Sequence, residues 1–406
     1  MSALEADPFF APRMSRFRAS PSQLAAVRVR ELIAQGRDIV KLTTGEPDFP
    51  TPDHVKEAVI RCMRDDDIRY APVNGTEALR KAVQLKFQRD NGLEFGLDQI
   101  TIGSGTKQVL FNALMATLAA GDEVIVAAPY WTSYLDMIKL TGATPVVVRC
   151  PQAQDFKMSA QQLREAITPA TKWLLFSSPS NPTGATYSAD ELRELAAVLL
   201  EHPSVHLLCD DVYEHLVFDG RKFATLAQVE PRLGARTVIC NGVSKAYSMT
   251  GWRVGFAAGP RHIILQMSKM QSQSTSGIGS VNAAAAIAAL TGPQQFVRER
   301  TLNLQKRRDL LFEHLSRVEG LSCRLPQGAM YLFCGCDAFI GQTTPEGKRL
   351  ADDTDVVLYL LDSVGVALVQ GEAYGLSPCF RASFVAGEAD LVRGAGLIDE
   401  AYRALR

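Results

Sequence analysis

Short apolar segments alternate with amphipathic helical segments through the middle of this chain, and this alternation constrains the fold more than any other feature. Seven segments have the length and composition of strands, at residues 99–104, 123–128, 145–149, 173–177, 205–209, 237–241 and 254–258. Most of them contain a continuous apolar run, as is expected of strands covered on both faces of a sheet. The pattern therefore predicts an α/β fold with a mostly parallel, seven-stranded sheet.

The helical segments between the predicted strands have recognisable ends. Residues 189–201 have one apolar face, and Ser188 with Glu191 forms a capping box at the start. The residues of this face are Leu192, Leu195, Ala196 and Leu199. Residues 77–89 are followed by Gly92, which can adopt the left-handed conformation that ends many helices. These signals predict where the chain leaves each helix and enters the next loop.

The pattern changes after about residue 295. A long charged helix is predicted at residues 295–318, and three short strands follow it, at residues 329–333, 366–369 and 380–384. The first 50 residues contain a helix and one strand (38–42), too little to form a core alone, so we expect them to pack on the C-terminal part. The sequence thus predicts a large domain of residues 51–294 and a smaller α+β domain of residues 1–50 and 295–406.

The composition excludes several classes of function. A net charge of -1 over 406 residues provides no concentrated basic surface for a phosphate backbone, so we expect no nucleic-acid partner. No uncharged run approaches the roughly 20 apolar residues of a membrane span, and no signal-peptide pattern is present. We therefore expect a cytoplasmic protein without a membrane partner.

The eight cysteines are scattered, and none forms a Cys-x-x-Cys pair. They are Cys62, Cys150, Cys209, Cys240, Cys323, Cys334, Cys336 and Cys379. Several lie in apolar strand-like segments, which is typical of buried free thiols in a reducing compartment. Cys334 and Cys336 make the one close pair, but two ligands without a neighbouring histidine are too few for a zinc site. We expect no metal.

The residues that follow the predicted strands form a coherent set, and in such sheets ligands bind at the carboxyl ends of the strands. Residues 103–107 (Gly-Ser-Gly-Thr-Lys) open a helix whose N–H groups can face a phosphate. Trp131 offers an indole that can stack on a flat ring, Asn181 lies between two prolines where a cis bond would orient its amide, and Asp210 can pair with a ring-nitrogen cation. Each of these residues also has a purely structural interpretation. Trp131 would fill space within a loop, the prolines around Asn181 would make a rigid turn, and Asp210 would cap a helix.

Lys245 lies in a turn of small residues after the sixth predicted strand, and Arg253 follows eight positions later. A lysine amine can form a Schiff base with an aldehyde when its surroundings favour the neutral amine and a fixed cation holds the anionic group of the partner. Lys245 and Arg253 can supply both functions. Alone, the pair is also compatible with two solvated surface charges.

Taken together, these segments resemble class I aminotransferases of the pyridoxal-phosphate fold-type I superfamily, in particular the bacterial aspartate aminotransferase-like branch. The resemblance covers nearly the whole chain. It rests on seven motifs in register: residues 45–49 (GEPDF), 70–72 (YAP), 129–131 (PYW), 181–184 (NPTG), 210–213 (DDVY), 244–255 (SKAYSMTGWRVG) and 380–383 (FRAS). It implies the fold-type I architecture, with a large domain carrying the seven-stranded sheet and a smaller α+β domain.

The resemblance implies pyridoxal 5′-phosphate as the cofactor and Lys245, Asp210 and Tyr213 as catalytic residues. Lys245 would carry the internal aldimine and move the proton, while Asp210 would keep the ring nitrogen protonated. The remaining cofactor contacts that it implies are Trp131 on the ring, Asn181 and Tyr213 on the ring oxygen, Gly105, Thr106 and Arg253 on the phosphate, and Tyr70 on the phosphate of the neighbouring subunit. A homodimer with shared active sites is therefore expected.

The same resemblance implies how an amino acid and a 2-oxo acid would bind. Arg381 would hold the α-carboxylate bidentately, assisted by Asn181 and the Gly45 backbone and with Trp131 nearby. Lys107 and residues 273–276 of the neighbouring chain would contact the distal end of the substrate side chain. This favours aspartate or glutamate as donors and 2-oxoglutarate or oxaloacetate as acceptors.

Two positions depart from the family pattern, of which the first leaves the phosphate contacts partly unassigned and the second leaves a broader substrate range open. Some relatives have a hydroxyl residue three positions before the lysine, where this chain has Gly242. Aspartate-specific relatives usually have a hydroxyl shortly after the Pro-Ser near the N-terminus, where this chain has Leu24. A leucine there would make the pocket more apolar, which admits aromatic, prephenate-like or neutral amino acids.

Two other functions remain compatible with the sequence. A β-lyase would use the same Lys245 but would need a leaving group on the substrate Cβ, and its turnover would not depend on an amino acceptor. A non-catalytic ligand sensor of the same fold normally carries a DNA-binding helix-turn-helix ahead of the domain, and the short N-terminal segment has no room for one.

Overall fold

A computed structural model describes residues 9–17 and 21–406, with the side chains of residues 21–26 left undescribed. Its helices are α1 (Pro21–Ala34), α2 (Asp53–Arg64), α3 (Glu77–Asn91), α4 (Thr106–Thr117), α5 (Ser133–Thr141), α6 (Ala160–Ala166), α7 (Ala189–Glu201), α8 (Leu226–Val229), α9 (Arg261–Ser272), α10 (Ser280–Thr291), α11 (Gln295–Leu315), α12 (Asp353–Val364) and α13 (Glu388–Arg403). Its strands are β1 (Val40–Lys41), β2 (Ile100–Gly103), β3 (Glu123–Ala128), β4 (Thr144–Arg149), β5 (Thr171–Ser177), β6 (His206–Asp210), β7 (Thr237–Gly242), β8 (Gly255–Ala258), β9 (Tyr331–Gly335), β10 (Val366–Ala367), β11 (Val369–Gln370) and β12 (Cys379–Ser383).

Seven strands form one sheet in the order β2-β8-β7-β6-β5-β3-β4. Only β8 runs antiparallel to its neighbours, β2 and β7. The predicted mostly parallel, seven-stranded sheet is confirmed. All the other strands end at the same edge, so the loops after them converge there.

Side chains of the central strands alternate between two apolar clusters. Leu174 and Phe176 belong to a cluster on one face, whereas Trp173 and Leu175 belong to a cluster on the other. Both sets are buried. The continuous apolar runs within these strands are thus explained, because helices cover the sheet on both faces.

The predicted helix ends agree with the structure where the sequence signals were strong. The Ser188 side chain accepts a hydrogen bond from the Glu191 backbone N–H and the Glu191 side chain accepts one in return, which makes the capping box before α7. Gly92, at the end of α3, has a φ of 63°, a left-handed conformation that glycine adopts without steric cost.

A second, smaller set of elements carries the rest of the chain. Strands β11, β12 and β9 form an antiparallel sheet with β12 in the middle, and α11 and α13 pack together beside it. Strand β1 pairs with β10 in parallel, and Val29 and Leu32 of α1 pack with Leu361. The N-terminal segment therefore packs on the C-terminal part, as predicted, while the domain boundaries near residues 50 and 295 stay predictions.

Two predicted strands of this region differ from the structure. The strand predicted at 329–333 begins only at Tyr331, because Ala329 has a φ of 57°, which an extended strand cannot contain. The strand predicted at 366–369 is two strands, since β10 pairs with β1 while β11 pairs with β12. Leu368 lies where the chain passes from one sheet to the other.

Among the described residues, no helix has both the length and the apolar character needed to cross a membrane.

Candidate active site

A cavity of about 390 Å³ lies at the carboxyl ends of the parallel strands. The predicted site residues that line it are Gly45, Thr106, Lys107, Trp131, Asn181, Asp210, Tyr213, Lys245, Arg253 and Arg381. Gly105 directly precedes Thr106 at the rim. Tyr70 is not among the lining residues, and its side chain is fully exposed. One chain thus brings together ten of the twelve predicted residues.

Asp210 ends β6, the central strand of the large sheet, and its carboxylate is buried. The Tyr134 hydroxyl donates a hydrogen bond of 2.6 Å to Oδ2, while Oδ1 has no hydrogen-bond partner among the described atoms. Burial raises the pKa of this carboxyl to about 6, against the opposing effects of the Tyr134 hydrogen bond, the nearby Val212 backbone N–H and the Lys245 charge. Because a buried oxygen without a hydrogen bond is energetically costly, Oδ1 would be stabilised by a ligand that is cationic or donates a hydrogen bond.

The raised pKa of Asp210 predicts how the stability of the cofactor-free protein depends on pH. Since the folded protein holds this proton to about pH 6 and the unfolded chain loses it near pH 4, the free energy of unfolding should fall as pH rises between these values. The Asp210 contribution is about 3 kcal/mol, at about 1.4 kcal/mol per pKa unit. Denaturant titrations across this pH range measure it.

Asp210→Asn provides the matched control for this titration, because the amide keeps the shape and cannot ionise. The difference between the two proteins should therefore grow as pH rises from about 4 to 6. If the two unfolding curves stay parallel across this range, Asp210 is not the titrating group.

Lys245 lies in the turn after β7, and its Nζ donates a hydrogen bond of 2.6 Å to the backbone oxygen of Gly45. Gly45 is closely packed, since a Cβ there would lie 2.5 Å from the Tyr331 hydroxyl. The absence of a side chain at Gly45 lets the N-terminal segment reach the lysine. The amine therefore projects into the cavity that also holds Asp210 and Tyr213.

The start of α4 faces the guanidinium of Arg253. Gly105 has a φ of 85°, and a Cβ there would lie 2.4 Å from Arg253 Nη2, so only glycine fits on both counts. No side chain caps this helix, which leaves N–H groups and a partial positive charge beside a cation. Together these groups can bind a phosphate.

Gly242 explains one departure from the family pattern. A Cβ at Gly242 would lie 2.7 Å from the Thr106 hydroxyl, and that hydroxyl donates to the backbone oxygen of Asn241. A hydroxyl residue at position 242 would therefore displace Thr106. In this chain Thr106 occupies the space that the missing side chain leaves.

Arg381 lies on β12 with its side chain buried. Its Nη1 donates to Asn181 Oδ1 at 3.1 Å and its Nη2 to the Thr43 backbone oxygen at 2.7 Å. Its guanidinium lies 4.2 Å from the centre of the Tyr331 ring. All these partners are neutral, so Arg381 is a buried cation whose hydrogen-bond partners among the described residues carry no charge.

Lys107 lines the same cavity, with its Nζ 4.7 Å from the centre of the Trp131 ring. Partial burial lowers the pKa of Lys107, and the nearby Arg253 charge lowers it further. The next residue along the helix, Gln108, donates a hydrogen bond of 2.8 Å from its Nε2 to Thr275 Oγ1 of the same chain. Residues 273–276 thus approach Lys107 within one chain, and their contribution from a neighbouring chain stays a prediction.

The loop that carries Asn181 contains two cis peptide bonds. The Asn181–Pro182 peptide bond is cis, as the prolines suggested, and so is Ser178–Pro179. The proposed effect of Leu24 on the pocket concerns a side chain outside the described part of the chain.

Two tyrosines of the site were missed by the sequence analysis. Tyr134, on α5, holds Asp210, and Tyr331, on β9, accepts or donates a 3.0 Å hydrogen bond with the Tyr213 hydroxyl. Burial raises the pKa of Tyr213 well above its usual value, and the neighbouring Tyr331 raises it further, so Tyr213 is a neutral hydroxyl group. Tyr134 is the second residue of α5, and the helical periodicity of this segment could have indicated a side chain that faces the sheet.

A buried ionic cluster lies just behind the site, where Glu214 follows Tyr213. Asp90, Glu214 and His215 bring their ligand atoms within 4.8 Å of one another, as a metal site would. The ammonium of Lys86, however, is buried in the same cluster and forms an ion pair with Glu214. The positive charge that balances these carboxylates is therefore supplied by the protein itself.

Comparison with known proteins places this site in a family. Residues 37–395 match the model of the family described as aminotransferase class I and II. The chain belongs to this family. It is accordingly a pyridoxal-phosphate-dependent aminotransferase, which moves an amino group between an amino acid and a 2-oxo acid.

Individual relatives are similar over almost their whole length. The chain is 49% identical to an aspartate aminotransferase of Rhizobium meliloti (strain 1021), covering 94% of this chain and 93% of that one. It is also 49% identical to an aspartate/prephenate aminotransferase of Cereibacter sphaeroides, covering 91% and 93%. A crystal structure of the aspartate aminotransferase from Rhizobium meliloti superimposes with a TM-score of 0.95 at 48% identity, covering 98% and 99% of the chains.

Proposed function

We propose that this aminotransferase acts on dicarboxylic amino acids, with aspartate or glutamate as donor and 2-oxoglutarate or oxaloacetate as acceptor. One observation carries the proposal: Lys107 and Arg381 line the same cavity, where Lys107 lies against the Trp131 ring and Arg381 is hydrogen-bonded to the neutral Asn181 and Thr43. Four cationic side chains line this cavity, Lys107, Lys245, Arg253 and Arg381. Because Lys245 and Arg253 are assigned to the cofactor, Lys107 and Arg381 remain for a ligand with two carboxylates. The name of the Rhizobium relative agrees with this choice.

The residues of the cavity fit pyridoxal phosphate. Its volume of about 390 Å³ lies within the range of small-molecule sites, roughly 300–1,000 Å³. When bound, the cofactor supplies an aldehyde for an amine and an electron-withdrawing ring that stabilises negative charge on the substrate Cα. The unpartnered Oδ1 of Asp210 is suited to hold the protonated ring nitrogen.

The hydrogen bond from Tyr134 helps Asp210 to perform this role. It stabilises the ionised carboxylate and fixes its orientation, so that Oδ1 stays directed at the ligand. Asn181 and Tyr213 would contact the ring oxygen, since Asn181 uses its Oδ1 for Arg381 and keeps its amide N–H groups for a ligand. Gly105, Thr106 and Arg253 would hold the phosphate.

Lys245 is the group that moves the proton. In the structure the Lys245 amine donates a hydrogen bond to the Gly45 backbone oxygen. This oxygen is neutral and cannot take the proton of the amine. When a substrate amine takes the place of Lys245 on the cofactor, the lysine amine becomes free. It can then accept the proton from the substrate Cα as a general base and return it as a general acid. Arg381 meanwhile fixes the α-carboxylate through its two-pronged guanidinium, so that orientation selects the bond that breaks.

A broader acceptor range is the second candidate. The Cereibacter sphaeroides relative is named as an aspartate/prephenate aminotransferase, and the cavity of this chain is lined by Trp131, Tyr213 and Tyr331. Aromatic walls of this kind also suit a ring-bearing 2-oxo acid. Prephenate is therefore the acceptor to compare with 2-oxoglutarate.

A panel of donors and acceptors tests the proposal. Aspartate, glutamate, phenylalanine and alanine are assayed as donors with 2-oxoglutarate, oxaloacetate, pyruvate and prephenate as acceptors. We expect the highest kcat/KM for a dicarboxylic donor with a dicarboxylic acceptor. A preference for alanine or phenylalanine with pyruvate would refute the acidic preference.

Replacing Lys107 with alanine should selectively weaken the acidic donors. The ammonium lies at the cavity wall, so removing it should lower kcat/KM for aspartate by roughly 30-fold, or about 2 kcal/mol, because a charge pair is lost. Phenylalanine and alanine should keep their values. An equal loss for all donors would mean that Lys107 serves the cofactor instead.

We propose a homodimer with shared active sites. Tyr70 is completely exposed in the single chain, and Ile60, Met63 and Ile68 near it are exposed as well, which is typical of an interface. Tyr70→Phe should weaken cofactor binding if its hydroxyl reaches the phosphate of the partner, and sedimentation should show a dimer. A fully active monomer would exclude shared sites, whereas a tetramer would remain compatible with them.

The cytoplasmic location and the absence of a structural metal also stay predictions. Cell fractionation and metal analysis of the purified protein test them.

A further inference from the structure

Two cysteines outside the active site lie side by side in the small sheet. The Sγ atoms of Cys323 and Cys334 are 3.0 Å apart, about 1 Å more than the length of a disulfide bond. Both are free thiols. Cys334 is fully buried in β9, whereas Cys323 is partly exposed.

The backbone explains why the two thiols meet. Strand β9 is an edge strand, and Ser322 pairs with Gly335 across that edge through two backbone hydrogen bonds of 2.9 and 2.8 Å. The next pair along this antiparallel bridge is Cys323 with Cys334, a position without backbone hydrogen bonds. At such positions the two side chains approach most closely, at a separation that a disulfide can span.

We propose that Cys323 and Cys334 form a reversible oxidation site, at which a peroxide converts the two thiols into a disulfide. Cys323 is the accessible thiol and reacts first, while Cys334 is held behind it and resolves the product. The disulfide protects Cys323 from irreversible oxidation and joins β9 to the segment before it. The proposal is independent of the substrate of the aminotransferase.

The chemistry balances with one peroxide. The Cys323 sulfur attacks one peroxide oxygen and the O–O bond breaks, which leaves a sulfenic acid on Cys323 and one molecule of water. The Cys334 sulfur then attacks the Cys323 sulfur, the S–O bond breaks, and the departing hydroxide takes the Cys334 proton as a second water. Two thiols lose two electrons in total, and the peroxide gains them.

Peptide mapping of the intact protein tests this site. The reduced holoenzyme is treated with hydrogen peroxide, alkylated in denaturant and digested without a reductant. We expect one peptide that links Cys323 to Cys334, about 2 Da lighter than the two thiol peptides combined, and its loss after treatment with dithiothreitol. The unfolding temperature of the oxidised protein should exceed that of the reduced protein.

Single substitutions separate the roles of the two thiols. Cys334→Ser should leave a sulfenic acid on Cys323 that a dimedone probe captures, and Cys323→Ser should abolish the link. Cys62→Ser, on α2, is the matched control and should leave the link intact. The proposal is overturned if wild-type Cys323 and Cys334 remain alkylatable to the same extent as Cys62, or if Cys323 links to another cysteine. The wild-type map alone decides this if a variant fails to fold.

Discussion

Lys245→Ala is expected to lower transamination by roughly 10⁴-fold or more while the protein still binds the cofactor. The substitution removes the amine that donates a hydrogen bond to the Gly45 backbone oxygen in the cavity, and with it the group that accepts and returns the Cα proton. Asp210, Arg253 and the start of α4 remain in place, so the cofactor should bind noncovalently. Steady-state rates and cofactor retention after dialysis measure the two effects.

Lys107→Ala is the matched control for this experiment, because Lys107 is a second lysine of the same cavity. This variant should keep the cofactor covalently bound and retain activity with neutral donors. Comparable loss of activity in both variants would mean that neither lysine has the specific role assigned to Lys245. Substantial activity in Lys245→Ala would contradict the assignment outright.

Arg381→Lys is expected to lower kcat/KM by roughly 100-fold or more for every donor, because the α-carboxylate is common to all of them. Lysine keeps the positive charge but loses the planar fork that holds Asn181 and the Thr43 oxygen together and that binds a carboxylate bidentately. The structure around the site should survive, since the charge is retained. Kinetics with aspartate, phenylalanine and alanine measure the loss.

The pattern of losses distinguishes Arg381 from Lys107. Arg381→Lys should affect acidic, aromatic and neutral donors alike, whereas Lys107→Ala should affect only acidic ones. Arg261→Lys serves as the matched control, since Arg261 starts α9 and pairs with Asp98 away from the cavity. A selective effect of Arg381→Lys on acidic donors would reverse the proposed orientation of the substrate.

The large sheet could be predicted closely because most of its strands contain continuous apolar runs and end at clear turn residues. β3 and α7 have the predicted bounds, and the other strands of the sheet differ by no more than two residues at either end. The small sheet was less predictable. Ala329 has a positive φ and delays β9, and residues 366–369 divide between two sheets, because neither feature leaves a local signal in the sequence.

The site was predictable where loops follow parallel strands, since the carboxyl ends of these strands necessarily meet. Asp210, Lys245 and Asn181 belong to this group. Tyr134 and Tyr331 do not, because one depends on the rotation of a helix and the other on how the small sheet packs against the large one. The contact between cysteines was not predictable from the sequence either. Cys334 is close to Cys336 in sequence, but its Sγ contacts the Sγ of Cys323 in the structure.

Borohydride reduction of the purified protein, followed by peptide mapping, tests the central claim most directly. Reduction fixes the cofactor permanently on the amine to which it is bound. The structure predicts that a single peptide carries the cofactor and that the modified residue is Lys245, the lysine beside Gly45 in the cavity with Asp210. Attachment to Lys107 or to any other lysine would contradict the account.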